Sequence, residues 1–473
     1  MDDFRLVASW VAEAMGGTLT GDGAREFSGV SIDTRTLEAG ELFIAIRGER
    51  FDGAAFVDAA MAAGAAGVVV PRGTRVTQGR EAGRASLSGE RLTVIEVDDT
   101  TIALQALARA IRRESGTKVV AITGSAGKTT TKEVASTFLS AWYRVIRNQG
   151  NLNNHIGLPL SLIALRRRPE IAVVELGMNH AREISTLVGV AEPDVRVWTN
   201  VGEAHVGFFA SVDAIADAKA EIFERASRAT LLIANADDAR IVARLPRFAG
   251  RVVTFGIDRD ADVRATDVVD RGVDGMQARI TAPEGRADMT TPLLGRANLA
   301  NILAAAAVAL EFNVPLADVA ARAASLRPSA HRGEIVRLPS GITVIDDSYN
   351  ANPTATRRAL DVLAQSEANR RVAVLGEMLE LGHQAAALHE GVGRAVAVAR
   401  IDLLLTVGGA PAAALADAAV VAGLARSDVR HFATSDEAAA ELMSFVRRGD
   451  LVLVKGSRGI RTDRVVERLK ERG

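Results

Sequence analysis

The amino-acid sequence predicts an α/β protein of three domains: a small α/β domain, a central domain with a mainly parallel sheet, and a C-terminal doubly wound domain. Two observations support this prediction. Short apolar runs alternate with helical patterns between residues 118 and 255, which favours a parallel sheet covered by helices on both faces. The alternation resumes between residues 343 and 455, beyond Pro315 and Pro328, and indicates a further domain of this class.

The predicted boundaries give domains of residues 1–98, 99–329 and 330–473. At roughly 100–200 residues per domain, a chain of 473 residues is expected to form two to four domains. The first domain contains strand-like runs at Leu42–Ile46 and Val68–Val70, and its polar segment 73–90 has the composition of an exposed loop. A helical pattern over residues 98–114 leads into the central domain.

The strands predicted for the other two domains are short and apolar. They are Lys118–Thr123, Ile171–Glu175, Val195–Asn200, Leu231–Asn235 and Val252–Phe255 in the central domain, and Thr343–Asp346, Val372–Leu375, Leu403–Val407 and Leu451–Lys455 in the third. Helices are predicted from Thr130 onward and over Ala297–Phe312.

Composition excludes several classes of protein. The 57 basic residues face 58 acidic ones, so the net charge is −1 and nucleic-acid binding is not expected. Cysteine is absent, which excludes disulfides, cysteine-ligated metals and thiol catalysis. No run reaches about 18 charge-free apolar residues. The N-terminus also lacks the features of a signal peptide, so we expect no membrane insertion.

The strongest local signal is the segment GSAGKTT at residues 124–130, between a predicted strand and a predicted helix. Glycines let backbone N–H groups close around phosphates, Lys128 can reach the β and γ oxygens, and Thr129 can offer a hydroxyl to Mg²⁺. The first glycine of the usual Walker A pattern is replaced by Ile122. The alternative is a glycine-rich turn with a surface lysine. A triphosphate loop alone supports hydrolysis, phosphoryl transfer or ligation.

A series of segments resembles motifs of the Mur ligase family, in the family's order and spacing. They are SIDTR at 31–35, FDG at 51–53, NLNNHIGLPL at 151–160, ELGMNH at 175–180, TNVGEAH at 199–205, AKAEI at 218–222, DDSYNANP at 346–353, GEMLELG at 376–382 and VKGSR at 454–458. The phosphate loop resembles the family's shorter TG-x-x-GKT pattern, which accounts for the missing glycine. The DDSYNANP and GEMLELG segments are most similar to the MurF branch.

The resemblance implies a first domain that binds a UDP-linked precursor, a central ATP-binding domain and a C-terminal ligase domain. ATP and Mg²⁺ are the implied cofactors, and site residues carry over position by position. The ATP residues are Gly124, Ser125, Ala126, Gly127, Lys128, Thr129, Thr130, Asn298, Arg332 and Asp347. The substrate residues are Ser31, Asp33, Thr34, Arg35, Phe51, Asp52 and Gly53 for the UDP-linked precursor, Asn350 and Asn352 for a dipeptide, and Asn151, Asn153 and Asn154 without assignment to one substrate. The implied catalytic residues are Lys128, Lys219, His205 and Glu175, and the implied metal ligands are Thr129, Glu175, His205 and Lys219.

Other interpretations exist for the residues beyond the phosphate loop. Considered alone, Glu175 is also compatible with a solvated carboxylate at a strand end, His205 with a structural histidine, and Lys219 with a solvent-facing helix lysine. The resemblance implies that Lys219 is carbamylated, which replaces a cation with an anion that can bind Mg²⁺.

Two departures from the family pattern affect the site. The usual His-Asn pair is Ala297-Asn298, so only Asn298 carries over as an adenine contact. After His205 the usual Gly-Phe-Gly-Ser is Gly207-Phe-Phe-Ala-Ser211, which loses one glycine but keeps the histidine.

The implied reaction is ATP-dependent addition of D-alanyl-D-alanine to UDP-N-acetylmuramoyl-tripeptide through an acyl phosphate, by a monomeric, cytoplasmic bacterial enzyme. The MurE branch, which adds a single residue, would show Tyr-Ala-His near Ser348. Folylpolyglutamate synthase lacks the segment at residues 31–35. A phosphate-loop switch or ATPase would not need a third domain with nucleotide contacts. Because Arg332 and Asp347 lie beyond Pro328, a hinge near residues 326–333 is also predicted.

Overall fold

The computed structural model of the chain describes residues 4–48, 51–76 and 93–471. The loop predicted over residues 73–90 therefore lies mostly outside the described residues. The strands are β1 Leu6–Val7, β2 Thr18–Thr20, β3 Glu26–Phe27, β4 Val30–Ser31, β5 Leu42–Ile44, β6 Gly67–Pro71, β7 Thr93–Val97, β8 Lys118–Thr123, β9 Val145–Arg147, β10 Ile171–Glu175, β11 Val195–Trp198, β12 Leu231–Asn235, β13 Arg251–Gly256, β14 Val263–Asp270, β15 Met276–Ala282, β16 Gly285–Thr291, β17 Glu334–Arg337, β18 Thr343–Asp347, β19 Arg370–Gly376, β20 Leu403–Val407, β21 Val429–Phe432 and β22 Asp450–Lys455.

The described α-helices are α1 Ala8–Met15, α2 Val57–Ala62, α3 Thr100–Ser115, α4 Lys128–Leu139, α5 Gly157–Ile163, α6 Glu183–Ala191, α7 Val212–Ala220, α8 Ala239–Val242, α9 Gly295–Glu311, α10 Leu316–Ala323, α11 Pro353–Gln365, α12 Ala385–Val398, α13 Ala410–Val421, α14 Ser435–Phe445 and α15 Asp463–Glu471. None of them combines the length and the apolar character that crossing a bilayer requires.

Contacts group the chain into two compact units. The first comprises Met1–Ala121, Tyr143–Met178 and Glu183–Asp194, and the second comprises Ile122–Trp142, Asn179–Arg182 and Val195–Gly473. Of the two boundaries predicted from sequence, residue 98 lies just before α3, and residue 329 lies between α10 and β17. The three-domain boundaries remain a prediction.

The first unit contains a five-stranded sheet in the order β2-β7-β6-β5-β4. Only β2 is antiparallel to its neighbour, and the other pairs are parallel. Val68, Val69 and Val70 are fully buried in β6, as expected for β-branched residues in a strand covered on both faces. Asp99 caps the N-terminus of helix α3, and its carboxylate accepts from the backbone N–H groups of Thr101 and Ile102. The parallel pair β9–β10 belongs to the same unit.

The second unit contains the end of β8 and the strands β11 to β16, with β11, β12, β13 and β14 parallel in that order. Strands β14, β15 and β16 then pair antiparallel. These three strands are missing from the sequence prediction, which otherwise gives a mainly parallel sheet. Helix α9 is rich in alanine and mostly buried, so it packs closely against α4.

The second unit also holds a six-stranded sheet in the order β17-β18-β22-β19-β20-β21. It is parallel except for β17, which confirms the predicted doubly wound arrangement. Helix α11 joins this sheet to the preceding one, since it packs against α9 and the short helix Gly272–Asp274. The carboxyl ends of β18, β19 and β22 carry the DDSYNANP, GEMLELG and VKGSR segments respectively.

Candidate active site

The phosphate loop connects β8 to α4, as the sequence predicts. Gly127 has φ +83°, and an added Cβ would lie 2.2 Å from Asn301 Oδ1, so a larger residue does not fit. No side chain caps the N-terminus of α4, where the first N–H groups of a helix have no acceptor within the helix. Lys128 begins the helix, and its Nζ donates to the Gly124 carbonyl at 2.8 Å. This arrangement can bind phosphate.

The segment after β11 fixes the phosphate loop from one side. Asn200 makes two hydrogen bonds with Ala126: its Oδ1 accepts from the backbone N–H and its Nδ2 donates to the carbonyl, both at 2.9 Å. Thr199 Oγ1 also donates to the Ala126 carbonyl, at 2.9 Å. Ser125 Oγ accepts from Gly202 N at 2.9 Å. Sequence reasoning assigned no site role to Thr199 or Asn200, although both lie in the TNVGEAH segment.

Helix α9 fixes the loop from another side. Asn301 is buried, and its Oδ1 accepts from Thr131 Oγ1 at 3.3 Å. Its Nδ2 donates to Asn298 Oδ1 at 3.2 Å, while Asn298 Nδ2 donates to the Leu294 carbonyl at 2.9 Å. Asn298, the predicted adenine contact, is therefore part of a chain of amides that leads to the loop. Asn301 was missed because a buried polar residue on an alanine-rich helix has no distinctive local pattern.

Lys219 is buried near the C-terminal end of α7, with 2% of its surface exposed. Burial, together with the nearby Lys128 charge, lowers the pKa of Lys219 well below its usual range. The interpretation as a solvent-facing helix lysine is therefore wrong. Its neighbour Asp217 is turned away and pairs with Arg244 at 2.9 Å. A buried amine that favours its neutral form is the species that reacts with CO₂ to give a carbamate.

The end of α7 is held by Arg196, a buried residue of β11. Its guanidinium donates to the carbonyls of Ile222 and Glu224, the latter at 2.7 Å, just beyond the helix that carries Lys219. Burial lowers the pKa of Arg196 to about 10. A cation at a helix C-terminus is favourable, because carbonyl groups there lack partners.

His205 adopts the left-handed conformation, with φ +62°. Its Nδ1 lies 2.6 Å from the Glu380 carboxylate. Burial and the charge of Lys128 lower the pKa of His205, whereas Glu380 raises it. Lys128, His205 and Lys219 are thus close enough to influence one another electrostatically, and three residues predicted to act together converge within one unit.

The C-terminal part of the second unit brings two further segments together. Lys455 is buried at the end of β22, and its Nζ donates to Asp347 at 2.6 Å and to the Asn350 carbonyl at 3.0 Å. It therefore links a predicted nucleotide residue to a predicted dipeptide residue, a role that the sequence analysis did not assign. Asn352 Oδ1 accepts from Ala355 N at 2.8 Å and caps α11.

Arg332, one of the predicted ATP residues, stacks on an aromatic ring. Its guanidinium carbon lies 4.0 Å from the centre of the Tyr349 ring. His331 lies beside it, and its Nδ1 pairs with the fully buried Asp346 at 2.8 Å. Both residues belong to the predicted hinge segment, whose movement remains a prediction.

Glu175 belongs to the first unit and is buried at the end of β10. Asn153 Nδ2 donates to its carboxylate at 3.1 Å, and the Glu175 N–H donates to Asn148 Oδ1 at 3.1 Å. The interpretation of Glu175 as a solvated carboxylate is therefore wrong. Asn154 accepts from Gly157 N at 2.8 Å, near the start of α5, while Asn151 is exposed.

The SIDTR and FDG segments follow two adjacent parallel strands of the first unit, β4 and β5. Asp33 forms an ion pair with Arg35 at 2.6 Å, and hydrogen bonds from Arg35 lower the pKa of Asp33 to about 2. Gly53 N donates to the Ile46 carbonyl at 3.0 Å, and a Cβ there would lie 2.6 Å from that backbone. Phe51 is 71% exposed. Both segments therefore lie at the carboxyl edge of one sheet.

Three family models match the chain. The model described as Mur ligase family, catalytic domain, matches residues 26–112, the Mur ligase middle domain matches 122–309, and the Mur ligase, glutamate ligase domain, matches 331–458. A curated relative from Bacillus subtilis (strain 168), UDP-N-acetylmuramoyl-tripeptide--D-alanyl-D-alanine ligase, is 35% identical and covers 98% of this chain and 97% of its own length. The chain belongs to the Mur ligase family.

Other members of the family are similar to this chain in sequence and in structure. The relative of the same name from Escherichia coli (strain K12) is 35% identical over 94% of each chain. A crystal structure of MurF from Acinetobacter baumannii has a TM-score of 0.88, with 30% identity and full coverage of both chains. MurF from Thermotoga maritima in complex with ADP has a TM-score of 0.81, with 28% identity, and covers 94% of this chain and 97% of its own. The predicted family is thus confirmed, and so is the three-domain α/β fold class.

The side chains that could ligate a metal ion decide whether this Mur ligase site suits a divalent cation. Among residues 4–48, 51–76 and 93–471, no group of three or more His, Asp or Glu side chains is arranged to hold a metal. An unmodified Lys219 beside Lys128 would repel Mg²⁺ if it were charged. A carbamate on Lys219 would supply the missing anionic oxygens, so the site fits Mg²⁺ with that modification and with nucleotide phosphates.

Proposed function

We propose that this Mur ligase joins D-alanyl-D-alanine to UDP-N-acetylmuramoyl-tripeptide with hydrolysis of ATP to ADP and phosphate. The observation that carries the proposal is full-length similarity to relatives that bear this activity in their names. It is joined to a phosphate loop whose glycines, lysine and open helix start suit a triphosphate. The substrates imply a bacterial protein of the cytoplasm.

The chemistry begins with activation of a carboxylate. A terminal carboxylate oxygen of the tripeptide attacks the γ phosphorus of ATP, the bond from that phosphorus to the β–γ bridging oxygen breaks, and ADP leaves. The dipeptide amine then attacks the acyl carbon and loses a proton, and phosphate departs from that carbon. The peptide bond forms between the tripeptide and D-alanyl-D-alanine.

The central residues stabilise the charge that accumulates in this reaction. Lys128 and the first N–H groups of α4 bind the β and γ phosphates, and Gly124 to Thr130 form the cradle around them. Thr129, Glu175, His205 and carbamylated Lys219 are the proposed ligands of Mg²⁺, which, when bound, neutralises phosphate charge. Asn301 and Asn200 keep the loop in shape before nucleotide binds.

The remaining predicted residues are assigned to the nucleotide and the two substrates. Asn298, Arg332 and Asp347 contact the nucleotide, with Asp347 placed by Lys455. The SIDTR and FDG segments bind the uridine nucleotide at the sheet edge they share, and Asn153 and its neighbours bind the precursor near Glu175. Asn350 and Asn352, at the start of α11, hold the dipeptide.

A phosphate-release assay with purified protein tests the proposal. Release should require ATP, the UDP-linked tripeptide and D-alanyl-D-alanine together, and a pentapeptide precursor should form in equal amount. Equal release with ATP alone would favour a phosphate-loop ATPase. Turnover with the UDP-linked dipeptide and a single amino acid would favour the MurE reaction.

A further inference from the structure

Glu380 in the GEMLELG segment contacts the His205 loop at two points. Its carboxylate lies 2.6 Å from His205 Nδ1, and its backbone carbonyl accepts from Gly207 N at 3.0 Å. The side chain thus reaches the ring while the main chain holds the loop that carries it. Residues 199–208 belong to the ATP-binding part of the unit, whereas Glu380 follows β19 of the six-stranded sheet.

The chemistry of this contact determines where the imidazole proton lies. An ionised carboxylate only accepts hydrogen bonds, so His205 Nδ1 must carry the hydrogen. A neutral imidazole has one ring hydrogen, so its Nε2 keeps a free lone pair. Histidines that ligate metals are commonly oriented in this way by a carboxylate behind the ring. Free histidine favours the opposite tautomer, so the contact selects the less common form.

The backbone around the contact is strained on both sides. Glu380 has φ +64° and His205 has φ +62°, a region that residues with side chains seldom adopt. Gly207 and Gly382 approach so closely that a Cβ on Gly207 would lie 2.7 Å from Gly382 N. Strain of this kind persists where the surrounding structure requires it, and it concentrates at functional sites.

We propose that Glu380 is a positioning residue that fixes the tautomer and orientation of His205, so that Nε2 faces the reaction centre only when the C-terminal part of the protein is docked. The proposal rests on the proposed function. Through the GEMLELG segment, the C-terminal part of the protein thus completes the reaction centre around His205. His205 can therefore act only when a residue remote in sequence orients its imidazole. With the C-terminal part undocked, the protein would retain its phosphate loop, but the His205 ring would no longer be correctly oriented.

Two substitutions remove the carboxylate, and a third preserves its hydrogen-bonding capacity. Glu380→Ala deletes the side chain and keeps the strained backbone. Glu380→Gly also deletes it but relieves the strain, so its melting temperature should not fall below that of Glu380→Ala. Glu380→Gln retains an oxygen that accepts from Nδ1. Glu390→Ala removes an exposed carboxylate that pairs only loosely with Arg394, at 3.8 Å, and serves as the matched control.

Nitrogen NMR of histidine-labelled protein without ligands measures the tautomer directly. We expect His205 to be protonated at Nδ1 in the wild type, in Glu380→Gln and in Glu390→Ala, and to shift toward the Nε2–H form in Glu380→Ala and Glu380→Gly. A wild-type ring protonated at Nε2, alone or together with Nδ1, overturns the proposal. So does an unchanged tautomer in both Ala and Gly variants.

Kinetics provides the second readout. In Glu380→Ala and Glu380→Gly, kcat should fall 10–100-fold, as is typical when the residue behind a ligating histidine is removed. KM for ATP should change little, since the phosphate loop is intact. Wild-type kcat in both variants contradicts the proposal. Because the NMR experiment needs no turnover, a protein that shows the expected tautomers but ligates nothing would reject the proposed function instead.

A matched variant separates orientation of the ring from docking in general. Glu203 lies in the same loop and accepts from Thr354 Oγ1 at 2.8 Å at the start of α11. Glu203→Gln weakens this second anchor without touching the ring. It should leave His205 protonated at Nδ1 and lower kcat less than Glu380→Ala does, because both Glu380 contacts with the loop remain. A loss of kcat in Glu203→Gln as large as that in Glu380→Ala, with the tautomer unchanged, would contradict the role assigned to the Glu380 carboxylate.

Discussion

Replacing Arg196 tests whether the end of α7 must be anchored for Lys219 to act. In Arg196→Met, the carbonyls of Ile222 and Glu224 lose their charged donor. Loss of this donor costs the buried Ile222 carbonyl about 1–3 kcal/mol, and the half-buried Glu224 carbonyl less than that. The variant also removes a buried cation whose pKa is lowered to about 10 by burial. That shift corresponds to a burial cost of about 3 kcal/mol, which the variant no longer bears. We therefore expect a net destabilisation of up to about 3 kcal/mol.

The effect on activity should exceed this modest loss of stability. Freed from its anchor, the segment after α7 can move Lys219, and a displacement of about 1 Å at a reacting centre can cost about a hundredfold in rate. Thermal unfolding and steady-state phosphate release measure the two effects in one preparation. Arg247→Met is the control, since that arginine is 63% exposed and contacts Asp217 at 3.4 Å. Wild-type kcat in Arg196→Met, or a destabilisation far above 3 kcal/mol, would refute this reasoning.

Three further variants test separate parts of the site. Lys128→Ala should abolish ligation, a loss of about 3 kcal/mol or more in transition-state stabilisation, and leave thermal unfolding near wild type; full activity would show that the loop is not the ATP site. Lys219→Ala should be nearly inactive and partly restored by short carboxylic acids, whereas wild-type turnover would exclude the carbamate. His389, fully buried, accepts from Met378 N and is neutral in the fold because burial lowers its pKa. The contribution of neutral His389 to the free energy of unfolding is therefore complete above the unfolded pKa of about 6.5. As the pH falls below that value, this contribution is lost by at most about 1.4 kcal/mol per pH unit. His389→Gln should lack this loss in chemical denaturation between pH 8 and pH 5, and parallel pH profiles for the two proteins would contradict the assignment.

The fold class and most strands followed from local patterns. Apolar runs such as Ile171–Glu175 and Leu403–Val407 match the observed strands residue for residue, since buried parallel strands are recognisable from composition. Strands β14 to β16 were missed, although β15 alternates buried and half-buried residues along its length. That alternation was a usable signal for an antiparallel hairpin.

The site was only partly predictable, and the reason is tertiary packing. The phosphate loop could be located because its glycines and lysine have a fixed spacing. The burial of Lys219 and Glu175 could not, because it depends on elements far away in sequence. Asn301 has no distinctive neighbours, and Lys455 lies in the VKGSR segment without a pattern that shows its partners, yet each places residues of the loop or of the C-terminal segments. The positive φ of Glu380 is equally invisible in sequence.

The transfer of oxygen from substrate to phosphate tests the central claim most directly. The terminal carboxylate of the UDP-linked tripeptide is labelled with a heavy oxygen isotope, and the released phosphate is analysed by mass spectrometry after one turnover with ATP and D-alanyl-D-alanine. We expect each phosphate to carry one labelled oxygen, because the carboxylate oxygen that attacks the γ phosphorus leaves with it. Phosphate without label, released at the rate of product formation, would contradict the acyl-phosphate mechanism.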